Sequence, residues 1–305
     1  MTTNGEMGYV GLGDMGGALA RRIASRHPLR VYDRSEAAVA ALVDAGAAAS
    51  HSLVDLGRSC RVVLLCLPTS AHVRTVLFDD GGLAEALEPG SVVIDQTSGD
   101  PSQTAAMAAE LATRGLHLVD APVSGGAQGA LAGTISMMLG APAELVEPAT
   151  RALRTIGDNV THIGPVGSGH TMKLVNNLLS CSQRLLTLEA LAIAAKQGID
   201  PKLAVDVLRQ GGARNAWLEI QGAKVVTGAI DLAQGFSLGL AHKDLSLACD
   251  LASEIGVPTF YGSLSRDLHR LAVAQLGGAI SVEAVAGLVG GLAGAALVAP
   301  SPEPS

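Results

Sequence analysis

Three short stretches of this sequence combine residue types and spacings that could do chemistry. In "YVGLGDMGGALARRI", Gly11, Gly13 and Gly16 follow the pattern G-x-G-x-x-G between an apolar run and a helix-like one. Asp33 follows Gly11 by 22 residues, at the end of "LRVYD". This is the context a dinucleotide requires. Gly11 permits a tight turn, Gly13 lets a pyrophosphate approach the backbone, and Gly16 allows close helix–strand packing. Leu12, Asp14 and Met15 complete a loop whose amides and following helix dipole stabilise negative charge. Asp33 can accept from both ribose hydroxyls and repels a 2′-phosphate, which favours NAD. Arg34 beside it can grip a phosphate bidentately and keeps NADP open.

The second stretch, "DAPVSGG" (120–126), ends a strand-like run. Ser124, Gly125 and Gly126 offer a hydroxyl and two unobstructed backbone N–H groups, a loop able to cradle a carboxylate. The third, "GHTMKLVNN" (169–177), sets Lys173, Asn176 and Asn177 at the start of an otherwise greasy helix. Burying a lysine is expensive without a purpose or a partner. Gly169, Lys173 and Asn177 fall at i, i+4 and i+8, one stripe along that helix.

The elements that must position these residues can be read from hydrophobic pattern. "MGYVGLG", "LRVYDR", "CRVVLLCLP", "GSVVIDQTS", "LHLVDAPVS" and "ISMMLG" read as strands, with helical stretches between them at 16–25, 35–46, 70–80 and 101–115. Continuously apolar strands spaced by helices predict a parallel sheet covered on both faces, a doubly wound α/β (Rossmann-type) domain over residues 1–164. The strand signals then stop. A helix over about 168–196 is expected, closed by Gly198, with Asp200 and Pro201 opening the next. Further helices are expected around 213–227, 237–255, 262–275 and 280–296. Residues 165–305 thus form an all-helical domain for substrate binding and oligomerisation, joined to the first by the long helix, with 292–305 a frayed tail.

Composition excludes several classes. The net charge of −7 and the lack of a basic cluster argue against a nucleic-acid partner. The four cysteines, at 60, 66, 181 and 249, show no metal or disulfide spacing, so no metal is expected and the pattern suits a reduced cytoplasmic protein. No signal peptide is visible in "MTTNGEMGYV". The longest uncharged run, 284–300, is glycine-rich and shorter than a span of roughly 20 residues, so no membrane helix is expected there. The apolar second half of the long helix predicts burial in a homodimer or homotetramer.

Four blocks, "GLGDMG", "DAPVSGG", "GSGHTMKLVNN" and "KDLSLA", stand in order over nearly the whole chain and resemble the β-hydroxyacid dehydrogenase family. The resemblance implies an NAD(P)-dependent oxidoreductase that moves hydride between nicotinamide and the hydroxyl-bearing carbon of a small 3-hydroxy acid. It implies Lys173 as the general acid/base, and Ser124, Gly125 and Gly126 around the substrate carboxylate. Gly169 would leave space for substrate one turn before the lysine, and Asn177 would bind substrate or hold the ammonium, with Asn176 a second neighbour. Lys243 is expected near the cofactor, with Asp244 tying its segment in place. Leu67, Pro68, His72 and Ser98 align with cofactor-contacting positions, and Phe236 with an aromatic near the site, a plain core role being the alternative.

A free lysine is a poor base at neutral pH, so desolvation and the positive nicotinamide are needed to favour its neutral form. Arg22, Leu19, Gln96, Ser98 and His72 depart from the family's usual residues, which leaves cofactor preference and substrate open. Two other functions stay open beside this one. One is a reductase of the same superfamily acting on a semialdehyde such as tartronate or succinic semialdehyde. The other is a dinucleotide-binding module without turnover.

Overall fold

The computed structural model describes residues 5–299, and the chain divides into two compact units, Met1–Lys173 and Leu174–Ser305. In the first unit the strands are β1 (Met7–Val10), β2 (Leu29–Tyr32), β3 (Ala48–Ala49), β4 (Val62–Leu65), β5 (Val92–Asp95), β6 (His117–Asp120), β7 (Val123–Ser124), β8 (Ser136–Gly140) and β9 (Val160–Gly164). The helices between them are α1 (Asp14–Ala24), α2 (Glu36–Val43), α3 (Leu53–Ser59), α4 (Ser70–Phe78), α5 (Leu83–Ala86), α6 (Pro101–Ala112), α7 (Gly126–Ala132) and α8 (Ala143–Leu153).

The strands form one sheet in the order β3-β2-β1-β4-β5-β6-β8-β7, with β9 on β8. From β3 across to β6 every pairing is parallel. The far end is mixed: β8 runs antiparallel to β6 and β7, and β9 runs parallel to β8. The order in which strands are added therefore reverses between β1 and β4, the topological switch point at which open α/β sheets bind ligands. Side-chain alternation along each strand feeds two cores. Tyr9, Leu64 and Ile94 face one with Leu19 and Ile23 of α1; Val63, Leu65 and Val93 face the other with Leu77 of α4 and Leu111 of α6. Helix starts are set by side-chain caps: Ser35, Ser52 and Thr69 each accept an N–H from the first turn, and Asp100 does so before Pro101.

Helix α9 (Ser168–Lys196) has the bounds expected from sequence. It is followed by α10 (Pro201–Gln210), α11 (Ala223–Val226), α12 (Leu238–Glu254), α13 (Phe260–Leu276) and α14 (Val285–Ala293). Asp200 caps α10 through the N–H of Leu203, with Pro201 in the first turn. In the second unit Cys181, Leu185, Leu188 and Leu191 of α9 share a core with Val205, Trp217, Leu245 and Val285. Inside it Glu283 pairs with Arg184 at 3.1 Å and accepts from the indole N–H of Trp217 at 2.7 Å.

One expectation is refined and one corrected. The helix expected around 213–227 is present without a break over 216–226, but Leu218–Gly222 forms a wider π-turn within it, leading directly into α11. The tail foreseen from 292 is ordered to Ala299, because Leu297 is buried in the core and Ala299 donates its N–H to the carbonyl of Val226. Residues 300–305 lie outside the described residues. Among those described, α9 is the one helix long and apolar enough to cross a membrane by length and composition.

Candidate active site

Strand β1 ends at Val10 and is followed by Gly11, whose φ of +93° suits glycine. A Cβ there would overlap the carbonyl oxygen of Cys66, and one on Gly16 would overlap the carbonyl of Gly11. These two glycines let the turn lie on β4 and let α1 start directly above it. Gly13 differs: a Cβ on it would meet nothing within 4 Å. Its exposed backbone borders open space at the start of α1, flanked by Asp14 and Met15, which is the cradle a pyrophosphate needs. At the end of the neighbouring strand, Asp33 accepts from the N–H of Leu12 at 2.7 Å and, through its other oxygen, from the N–H of Ser35 at 2.8 Å. Each oxygen keeps acceptor capacity for a ribose hydroxyl. Arg34 is exposed. The residues present therefore fit a nicotinamide dinucleotide.

The next two strand ends lie along the same edge. After β4, the N–H of Leu67 donates to the Thr97 hydroxyl, which lies beyond β5 beside Ser98. Pro68 is exposed, and His72, in the first turn of α4, bonds the Thr69 hydroxyl at 2.7 Å. Two departures from the family pattern find structural partners. The amide oxygen of Gln96 accepts from the buried Tyr9 hydroxyl at 2.8 Å. Arg22 donates through Nε to the carbonyl of Ile156 at 3.1 Å, away from the glycine turn in sequence and tying α1 to the segment after α8.

The loop 124–126 leaves β7 with φ of +136° at Gly125 and +70° at Gly126. Neither value is comfortable for an L side chain, so the backbone itself requires both glycines. Both are exposed, and Ser124 is half-buried.

Asp120, the last residue of β6, is fully buried, and its two oxygens accept the N–H groups of Gly167 and His170 at 2.6 and 2.7 Å. It thus caps the first turn of α9 from another strand. Burial pushes its carboxyl above the usual range, opposed by His170 and by those two N–H bonds. The expectation for Gly169 is corrected here. A Cβ on Gly169 would overlap the carbonyl oxygen of Met138 and come within 2.8 Å of Asp120 Oδ2. Its missing side chain admits the sheet's backbone, not a substrate.

His170 is also fully buried. Its Nδ1 lies 2.9 Å from the Thr104 hydroxyl, which donates its own proton to the carbonyl of Asp100. Nδ1 is therefore the donor in that pair. Nε2 then faces Asp95 Oδ2 at 3.9 Å. One turn beyond, half-buried, is Lys173.

In the second unit, Asn177 is buried; its amide donates to Asp244 Oδ2 at 2.6 Å and accepts from Asn176 at 3.0 Å. Lys243 lies 2.9 Å from Asp244 Oδ1. Asp244, fully buried, thus ties the two segments together as expected. Phe236 is 36% exposed and so is no core residue.

Sequence reasoning missed Asp95, Asp120 and His170. Asp120 stands 47 and 50 residues from its two donors and His170 stands 66 from Thr104, and only the position of Asp120 at a strand end hinted at a role. Taken unit by unit, the sheet edge offers an anion cradle, a ribose acceptor, a glycine loop and a lysine. Together these suit reversible oxidation of a small anionic alcohol.

Comparison with known proteins agrees with that chemistry. Residues 6–164 match the family model described as the NAD binding domain of 6-phosphogluconate dehydrogenase. Residues 167–289 match the one described as the NAD-binding domain of NADP-dependent 3-hydroxyisobutyrate dehydrogenase. An NAD-dependent L-serine dehydrogenase of Pseudomonas aeruginosa is 34% identical over 276 residues, covering 88% of this chain and 93% of that protein. A 2-(hydroxymethyl)glutarate dehydrogenase of Eubacterium barkeri is 36% identical over 255 residues, covering 83% and 84%. A solved structure of Mycobacterium tuberculosis 3-hydroxyisobutyrate dehydrogenase with L-serine superposes with a TM-score of 0.82 at 26% identity, covering 93% of this chain and 99% of that one.

Proposed function

We propose that Lys173 is the general acid/base of this chain, which belongs to the β-hydroxyacid dehydrogenase family. The chain is an NAD(P)-dependent oxidoreductase acting on the hydroxyl group of a small acid. The observation that supports Lys173 is the seat of its helix. The first turn of α9 is held by Asp120 at the end of β6, with His170 beside Asp95 at the end of β5. Lys173 lies one turn further, in the same compact unit as the glycine turn and Leu67.

When bound, the nicotinamide ring supplies the hydride acceptor or donor. The turn Gly11–Gly16 with Leu12, Asp14 and Met15 would hold the pyrophosphate, Asp33 and Arg34 would serve the ribose, and Leu67, Pro68, His72, Ser98 and Lys243 would supply further contacts. Ser124, Gly125 and Gly126 hold the substrate carboxylate by N–H and O–H donation. Lys173, as the neutral amine, takes the hydroxyl proton as the carbinol carbon is oxidised. As the ammonium it polarises the carbonyl and returns the proton in reduction. Asn177 keeps one amide N–H beyond its bond to Asp244, available to a substrate oxygen.

The substrate class we infer is a 3-hydroxy acid resembling 3-hydroxyisobutyrate, with NAD the preferred cofactor because the Asp33 carboxylate can accept from ribose hydroxyls and would repel a 2′-phosphate. A semialdehyde reductase would use the same residues in the reducing direction. We further propose a cytoplasmic homodimer or homotetramer, with no membrane or nucleic-acid role. Leu179, Leu186 and Ile193 are exposed at seven-residue spacing along α9, a stripe suited to a second copy. The test of function is a panel of 3-hydroxy acids and semialdehydes with each cofactor. Binding of NAD without turnover on any of them would favour the non-catalytic alternative.

A further inference from the structure

The first turn of α9 is enclosed by polar groups that the reaction itself does not use. Asp120 accepts from Gly167 and His170, the N-cap position and the third helical residue, so one carboxylate satisfies two N–H groups that a helix otherwise leaves unpaired. The carboxylate is also confined. A Cβ on Gly140 would overlap it, and a Cβ on Gly169 would press on it from the other side. His170 is held in turn by Thr104 and stands 3.9 Å from Asp95. A Cβ on Gly99 would come within 2.8 Å of the His170 ring. This seat fixes the helix along its axis and about it, with little room for adjustment.

Lys173 follows His170 by three residues, so any slide or rotation of the first turn is carried directly to its ammonium. We propose that Asp120 is a positioning residue for catalysis, setting the place of Lys173 by capping α9 from the sheet, with Gly169 providing the close approach that this needs. The inference rests on Lys173 being the acid/base. Asp120 touches no reacting atom; it acts through the helix. Misplacing a catalytic group by about an ångström can cost ~10² in rate, and that scale sets the expected effect.

The test is a double-mutant cycle on the full-length enzyme, with kcat, KM and NAD affinity measured for each variant. Asp120→Asn keeps the shape but turns an amide N–H toward backbone donors. It should lower kcat by ~10 to 10² while NAD affinity stays unchanged. Lys173→Ala should lower kcat by ~10² to 10⁴. The combined variant should be no slower than Lys173→Ala alone, because a positioning residue has nothing left to position. Gly169→Ala, which displaces the turn without changing charge, should behave like Asp120→Asn in the same cycle and serves if Asp120→Asn does not fold.

Wild-type kcat in Asp120→Asn and Gly169→Ala would overturn the proposal. So would losses that multiply in the combined variants, the result expected of a merely structural residue. Full turnover by Lys173→Ala would instead sink the acid/base reading, and this inference with it. A slow Lys173→Ala beside a fast Asp120→Asn would leave that reading standing and remove only this one.

Discussion

The carboxylate of Asp33 accepts the backbone N–H of Leu12 at 2.7 Å, so the residue we assign to the ribose also pins the glycine turn. Asp33→Ala should therefore do two things. NAD affinity should fall by ~10-fold or more, the scale of a lost hydrogen bond to a charged group. Discrimination against NADP should shrink, because the repelling charge is gone and Arg34 remains. Comparing kcat/KM for both cofactors in the two proteins checks this. An unchanged NAD/NADP ratio would mean that Asp33 serves the turn alone.

Lys173→Ala should keep the fold and NAD affinity while turnover falls by ~10² to 10⁴. Lys173→Arg should not restore it, since a guanidinium stays protonated and cannot act as a base. Turnover and melting temperature measured together decide the matter. An active but destabilised alanine variant would make Lys173 an ordinary structural lysine.

Gly125→Ala forces an L side chain on to a φ of +136°, at a strain of ~1 to 3 kcal/mol. The loop should escape by turning its peptide N–H groups away. KM for the hydroxy acid should then rise much more than Kd for NAD. Equal losses of both would show that the loop serves the cofactor or the fold.

Burial pushes the His269 imidazole down to about 4, helped by the charges of Arg184 and His242. Unfolded, it titrates near ~6.5. The unfolded chain therefore binds the extra proton between those values, and stability falls as pH drops from about 6.5 towards about 4. Above about 6.5 the contribution is fully present. His269→Gln should flatten that limb in denaturant titrations across the window. An undiminished slope would assign it to other groups.

The glycine turn, Asp33 and the bounds of α9 were legible because each depends on residues near in sequence: a turn's φ, a strand's end, a long apolar run. The seat of Lys173 was not. Asp120, Asp95 and His170 read as ordinary polar residues until the sheet brings strand ends and a distant helix together. Gly169 was misread for the same reason: its lack of a side chain answers to Met138, far away in the chain. Two elements were hidden by their own composition. Strand β9 carries the exposed Thr161, His162 and Ile163 and lacks an apolar run, and α8 contains Pro148, which reads as a breaker. Leu297 escaped notice because one buried side chain in a short coil leaves no periodicity.

The cap that Asp120 places on α9 also bears on where this chain can be divided. The family models part at 164 and 167, and a chimaera with a relative would most simply be joined there. Such a crossover would separate Asp120 from its native Gly167 and His170, and Met138 from its native Gly169. A graft with a bulkier residue at position 169 would collide with the sheet, and cutting the sheet unit off at Gly164 would leave a buried carboxylate without its donors. The workable seam lies inside the helix, after Lys173, where the lysine and the strand ends that seat it are inherited together.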